Sequence, residues 1–261
     1  MKYWYIFTKS FKSQMIYKNA AILKFFGSGL ELIVAVNLWG ALLSSGVKTG
    51  ITLQDMLLFV LINILIAELT HANIAVELEP QIRSGAVSME LLKPFSFKYY
   101  CISTVLGKNA YYFIVSALPS TILITVFLDM NATSIMYTFL PFILSVILGM
   151  LIVFELSYIV GLLAFFTQKA WYLDWYLSAG KLIFGGTMVP IWFYPKWLNQ
   201  ISFYLPFRYI TFEPINIALG KTSFAPPSTI ICIVLSWIAA LALLGQLVYR
   251  QVEKRITING G

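Results

Sequence analysis

The chain has 261 residues, of which 59% are hydrophobic and only 11% charged, with a mean hydropathy of +0.82 and a net charge of +7. A soluble domain carries roughly 25% charged residues, so this composition excludes an ordinary water-soluble enzyme and identifies an integral membrane protein. The positive charge does not mark a nucleic-acid binder, because the Lys and Arg residues collect at the ends of apolar stretches instead of forming a basic stripe.

Residues 1–24 place Lys2, Lys9, Lys12, Lys18 and Lys24 among Tyr3, Trp4, Phe7, Phe11 and Ile16. This spacing predicts an amphipathic helix lying in the inner membrane interface. A cleaved signal is not expected, since no short apolar core is followed there by small residues. Spans one and two are predicted over 25–45 and 56–76, each close to the ~20 residues that cross a ~30 Å hydrocarbon core.

Residues 79–94 then form a polar island bounded by Pro80 and Pro94. Ile82, Ala86 and Met89 fall at i, i+4, i+7, with Val87 and Leu91 alongside and Gln81, Arg83, Ser84 and Ser88 as the polar remainder. That pattern predicts a short, weakly amphipathic helix suited to lying against a protein or a headgroup layer. A solvated connection between two spans is the competing reading.

Span three is expected over 106–128, with Pro119 placed to kink it, and span four over 135–166, longer than a bilayer needs and able to bend near Pro141. Span five is expected over 175–188. Six of the ten prolines lie in the 38 residues from Pro190 to Pro227, interleaved with Trp192, Phe193, Trp197, Phe203 and Phe207. No uninterrupted spanning helix fits there, and the segment is too apolar for an exposed loop, so short helices dipping into the outer leaflet are predicted over 190–227. Span six is expected over 229–249.

Six spans put both termini on one side of the membrane. With that topology fourteen of the eighteen basic residues face the side of the termini, and only Lys48, Lys196, Arg208 and Lys221 face the other. The asymmetry places both termini in the cytoplasm of a plasma-membrane, multi-pass protein. Cys101 and Cys232 should then lie near opposite membrane faces, unable to pair.

Two stretches resemble the membrane subunit of ABC exporters of the ABC-2 permease family. The first, Ile82-Arg83-Ser84-Gly85-Ala86-Val87-Ser88-Met89-Glu90-Leu91-Leu92-Lys93-Pro94, is similar to that family's segment between spans two and three. The second combines Gly185-Gly186-Thr187-Met188-Val189-Pro190, Tyr194-Pro195-Lys196-Trp197-Leu198, Tyr204-Leu205-Pro206-Phe207-Arg208-Tyr209, and Pro214 through Lys221. It resembles the family's small-residue step, outer helical hairpin and "L-P-F" pattern.

The resemblance implies an all-α fold of six transmembrane helices, with an interfacial N-terminal helix, a cytoplasmic coupling helix and an outward re-entrant hairpin. It implies that Glu79, Gln81, Ile82, Arg83, Ser84, Gly85, Val87, Met89, Glu90 and Leu91 contact an ATP-binding cassette subunit, two copies per complex. ATP and Mg would be bound by that partner, with no cofactor in this chain. It assigns the hairpin to Pro190, Trp192, Pro195, Trp197, Pro206, Phe207 and Pro214. It also implies a second permease subunit, as homodimer or heterodimer, in the lipid bilayer, exporting an amphipathic, drug-like, peptide or lipid-like substrate.

No catalytic or metal-binding set can be assembled. Gly220-Lys221-Thr222 looks like the tail of a phosphate-binding loop, but Ile215 stands where the first glycine is required, so the ATPase must be another chain. Ionisable groups inside hydrocarbon are functional candidates by default, which singles out Glu31, Glu68, His71 and Glu155. Glu68 and His71, three residues apart, should share one face of span two. A proton-coupled secondary transporter using Glu68, His71 and Glu155 is the alternative; mutual satisfaction of these groups across helix contacts is the simpler expectation.

Overall fold

The computed structural model describes residues 1–44, 50–87, 96–127, 133–167, 171–221 and 225–259. An apolar chain with no water to satisfy its backbone must close its hydrogen bonds within each segment, and here it does so with helices alone: the described residues contain no strand.

The N-terminal helix α1 (Lys2–Gln14) passes through a tight 3₁₀ turn (Met15–Tyr17) directly into α2 (Lys18–Ser44). The expected interfacial helix and first span are therefore one nearly continuous helical stretch. α1 is packed along α5 (Phe97–Tyr112). Gly107 permits that approach, since a Cβ there would collide with the Phe7 carbonyl. The Ser96 amide donates to the Tyr3 hydroxyl at 3.2 Å, Phe11 meets Tyr111 edge-on at 5.6 Å, and the Tyr112 hydroxyl donates to Gln14 Oε1 at 3.2 Å.

Helix α3 (Leu53–Leu69) opens with a capping box, Thr52 with Asp55, and is buried through most of its length. It ends earlier than the apolar run predicted. Asn109 Nδ2 donates to the Leu69 carbonyl at 2.8 Å, taking up an acceptor that the helix end leaves unpaired, and the Thr70 hydroxyl adds a second donor to the Ile66 carbonyl, which already accepts the Thr70 amide. After the break at residues 70–73 the chain resumes as α4 (Ile74–Arg83).

Pro80 lies inside α4, not at its start, and the helix stops before Gly85, whose φ of 73° is a left-handed conformation that glycine adopts without a Cβ penalty. Of the helix expected over 79–94, the described residues show the end of α4, a turn at 84–86 and helix again at Val87. Residues 88–95, including Met89, Glu90 and Leu91, lie outside the described residues.

Helix α5 begins at Phe97, well before the expected start of span three, and continues through a π-helical segment (Phe113–Ala117) into α6 (Leu118–Phe127). Pro119 accounts for the widened turn: its ring clashes with the carbonyl four residues back in a regular α-helix. α7 (Thr133–Thr167) runs unbroken past Pro141. α8 (Trp171–Phe184) has 14 residues, about 21 Å of helix, and stops short of the predicted span end.

The proline-rich stretch is a chain of short helices: a 3₁₀ turn (Ile191–Phe193), α9 (Lys196–Tyr204), a second 3₁₀ turn (Pro206–Tyr209) and α10 (Phe212–Ala218). Pro190 and Pro195 stand at N-caps and Pro206 at a first helical position, where a missing N–H costs little. α11 (Pro227–Asn259) completes the chain.

Among the described residues five stretches are long and apolar enough to cross a bilayer: Lys2–Ser44, Leu53–Arg83, Phe97–Val126, Thr138–Thr167 and Ser228–Lys254. α8 is not one of them. α7 is the central post. Gly149 lets it approach the Tyr209–Ile210 backbone, and at Gly161 a Cβ would stand 2.6 Å from Ile74 Cγ2, so the two glycines seat the hairpin and α4 at separate levels of one helix.

Candidate functional site

The two features singled out by the sequence sit at opposite ends of α3. Asp55, at its start, pairs with Lys221 at 3.0 Å, which ties down the end of the proline-rich segment. α4 leaves from its other end, about 25 Å along the helix axis.

α4 presents Ile74, Ala75 and Leu78 to the core, with Ile82 packed partly against it, while Pro80, Arg83, Ser84 and Gly85 are exposed. Glu79, Pro80, Arg83 and Ser84 line an open depression at its tip, where Arg83 and Glu79 make a loose pair at 4.0 Å. Gln81 is half-buried, and Val87 is buried in the main core just beyond the Gly85 turn.

The base of α4 is held from two directions. Ser157 Oγ on α7 donates to the Ala72 carbonyl at 2.7 Å and accepts from the Ile74 amide at 3.2 Å, stitching both sides of the break to one side chain. Asp174 on α8 accepts the Val76 amide at 3.1 Å, a donor that the first turn of a helix leaves without an internal partner. Neither Ser157 nor Asp174 was singled out by sequence, because nothing local to residue 157 or 174 announces a partner some eighty to a hundred residues away.

Two of the acidic groups singled out inside the membrane are satisfied across helix contacts. Lys24 reaches Glu68 with 2.9 and 2.8 Å contacts and lies 4.1 Å above the Tyr112 ring, and Lys98 pairs with Glu155 at 2.5 Å. His71 falls in the break after α3, not on its face, and its Nε2 is 3.3 Å from Asn73 Nδ2. Glu68 and His71 therefore do not share a helix face, because α3 terminates between them. Glu31 is exposed on α2. No group of acidic, histidine or cysteine side chains able to hold a metal occurs among the described residues, and Cys101 and Cys232 are both free thiols.

At the hairpin end, Arg208 and Glu213 form a buried ion pair, their side chains 3% and 2% exposed. Arg208 Nε donates to Glu213 Oε1 and Nη1 to Asn199 Oδ1, both at 2.7 Å, with Phe203 and Phe212 within 6 Å of the guanidinium. Trp192 sits edge-on to Phe59 of α3 at 5.5 Å and to Phe212 at 5.4 Å, and its indole donates to Asn216 at 3.2 Å. Phe207 stacks near Phe184 and covers Gly180, and Pro206 and Pro214 are buried. Pro195 and Trp197 are exposed.

These observations define an all-helical, multi-pass membrane protein with a short, exposed helical element at one end and a packed hairpin at the other. A family model described as "ABC-2 family transporter protein" matches residues 32–260, nearly the whole chain, so the protein belongs to that family and is a membrane transport component, a permease subunit. No curated protein and no solved structure matches it.

Proposed function

We propose that this chain is the membrane subunit of an ATP-driven exporter, working with a separate ATP-binding subunit that holds ATP and Mg, and with a second permease subunit. In this reading the chain crosses the plasma membrane six times with both termini cytoplasmic. The sixth crossing is made by the short α8 together with the small-residue step at Gly185–Gly186. Residues 79–94 are the coupling segment, and the substrate is amphipathic, drug-like, peptide or lipid-like.

The observation that carries this reading is the attachment of α4. An ATPase does mechanical work by moving its surface, so the permease needs a stiff protrusion whose displacement reaches the spans. α4 exposes Pro80, Arg83 and Ser84 at its tip, while its base is bonded to α7 through Ser157 and to α8 through Asp174. A push on the tip is thus delivered to α7 and α8, and through α7 to the hairpin seated at Gly149. The proton-coupled alternative finds no comparable support, since Glu68 and Glu155 are each held by a lysine.

The test is ATP hydrolysis by the complex purified through this chain. Gly85→Pro forces a φ near −65° where the backbone stands at 73°, and Arg83→Glu reverses the charge of an exposed side chain. Each should lower hydrolysis about tenfold, the equivalent of ~1.4 kcal/mol of coupling, without loss of the folded permease. Unchanged hydrolysis in both variants refutes the coupling role.

A further inference from the structure

Glu155 leaves half of its carboxylate unused. Oε1 is taken by Lys98 at 2.5 Å, but Oε2 is buried and has no hydrogen-bond partner, in a residue only 7% exposed. A buried carboxylate oxygen without a donor is costly. Among the described carboxylates Asp174 Oδ1 shares that state, whereas Lys24 reaches both oxygens of Glu68.

Glu155 also lines a cavity of 400 Å³ between the start of α5, the middle of α7 and the second half of α11. Phe154, Tyr158 and Tyr249 give it aromatic walls, and Lys98 and Glu155 face each other across its polar end. Tyr99 and Leu151 line it and are themselves exposed, and on α11 the exposed Leu244 and Leu247 are chain neighbours of its lining residues Gly245 and Gln246. In a membrane-spanning protein these exposed side chains meet lipid, so what enters sideways is a lipid.

The polar groups select its headgroup. The lysine and carboxylate balance in charge, so a net cation would approach the Lys98 ammonium and a net anion would approach Glu155. A group carrying both charges satisfies each. Oε2 is an acceptor and requires an N–H or O–H donor, which a quaternary ammonium lacks.

We propose that this cavity binds a membrane aminophospholipid of the phosphatidylethanolamine type. The primary ammonium donates to Glu155 Oε2 and lies against the Tyr158 and Phe154 rings, the phosphate accepts from Lys98 Nζ, and the acyl chains leave past Leu151. The site is separate from the α4 tip, and the proposal requires only that the chain spans a membrane.

Gly245 offers a charge-neutral way to close the site. A Cβ built there meets Tyr158 Cδ1 at 3.6 Å and Glu155 Oε2 at 3.7 Å, ordinary contact distances, so Gly245→Ala fits the fold and covers the orphan oxygen with a methyl group. The full chain, with whatever subunits co-purify, is placed in nanodiscs holding equal amounts of phosphatidylethanolamine, phosphatidylcholine and phosphatidylglycerol, and the lipids it retains are read by native mass spectrometry. The parent should retain phosphatidylethanolamine about tenfold over either other lipid, and Gly245→Ala and Glu155→Gln should lose that preference.

Thermal melting in the same nanodiscs reports whether each variant is folded, and only the parent should gain stability when phosphatidylethanolamine replaces phosphatidylcholine. Equal retention of the three lipids by the parent, or an intact preference in folded Gly245→Ala, overturns the proposal. Displacement of the retained lipid by millimolar soluble phosphoethanolamine also overturns it, since the occupant would then be a free headgroup compound.

Discussion

The ion pair inside the hairpin and the pairs around α4 handle their charges in opposite ways. At the hairpin, Arg208 and Glu213 are sealed from solvent, and Asn199 takes a further guanidinium N–H. At the α4 end, Lys108–Glu77, Lys24–Glu68 and Arg83–Glu79 leave at least one partner between 30% and 66% exposed. A sealed pair resists separation because each charge would be left without solvent, whereas a half-exposed pair can exchange one partner for water at little cost. The hairpin is therefore built as a fixed body, and the α4 end as a surface whose contacts can be remade.

The largest effect should come from breaking the sealed pair. Arg208→Leu leaves Glu213 buried without its cation and should cost about 3–5 kcal/mol of stability, and the double variant Arg208→Leu/Glu213→Leu should recover a good part of that loss in thermal unfolding. If Arg208→Leu melts like the parent, the hairpin is not a fixed body. An intermediate effect is expected at Ser157→Ala, which removes the partner of the buried Ala72 carbonyl and Ile74 amide. It should cost about 3 kcal/mol, and hydrogen exchange should rise in α4 before it rises in the hairpin.

The smallest effect is expected at Asp174→Ala, which removes the acceptor of the Val76 amide. It should cost about 1 kcal/mol of stability in thermal unfolding. A variant that melts like the parent would leave Ser157 as the only anchor of the base of α4.

The composition and apolar runs were enough to read a helical membrane protein, and proline spacing was enough to read the hairpin as short helices, because a missing N–H acts on its own segment. The interruption of α3 was hidden for the opposite reason. Thr70-His71-Ala72-Asn73 contains neither proline nor glycine, and what ends the helix there is a pair of side chains from distant segments, Asn109 and Ser157. Arg208 was read as an outward-facing charge. Its partner Glu213 is five residues on, across a turn, so helical spacing gave no sign of the pair. Sequence alone likewise reads Lys98 as a topology signal, while the fold pairs it with a distant carboxylate on α7.

The π-helical segment between α5 and α6 has one more consequence. Phe97, Cys101 and Val105, before it, are buried with α4, α7 and α11, while Ala117, its last residue, and Ile124, after it, are buried with α2 and α3. Holding an extra residue in its turn, it rotates the second half of the helix by about 100° relative to an unbroken one. A single rod thereby acts as a universal joint, gripping one packed body below the widened turn and a different one above it.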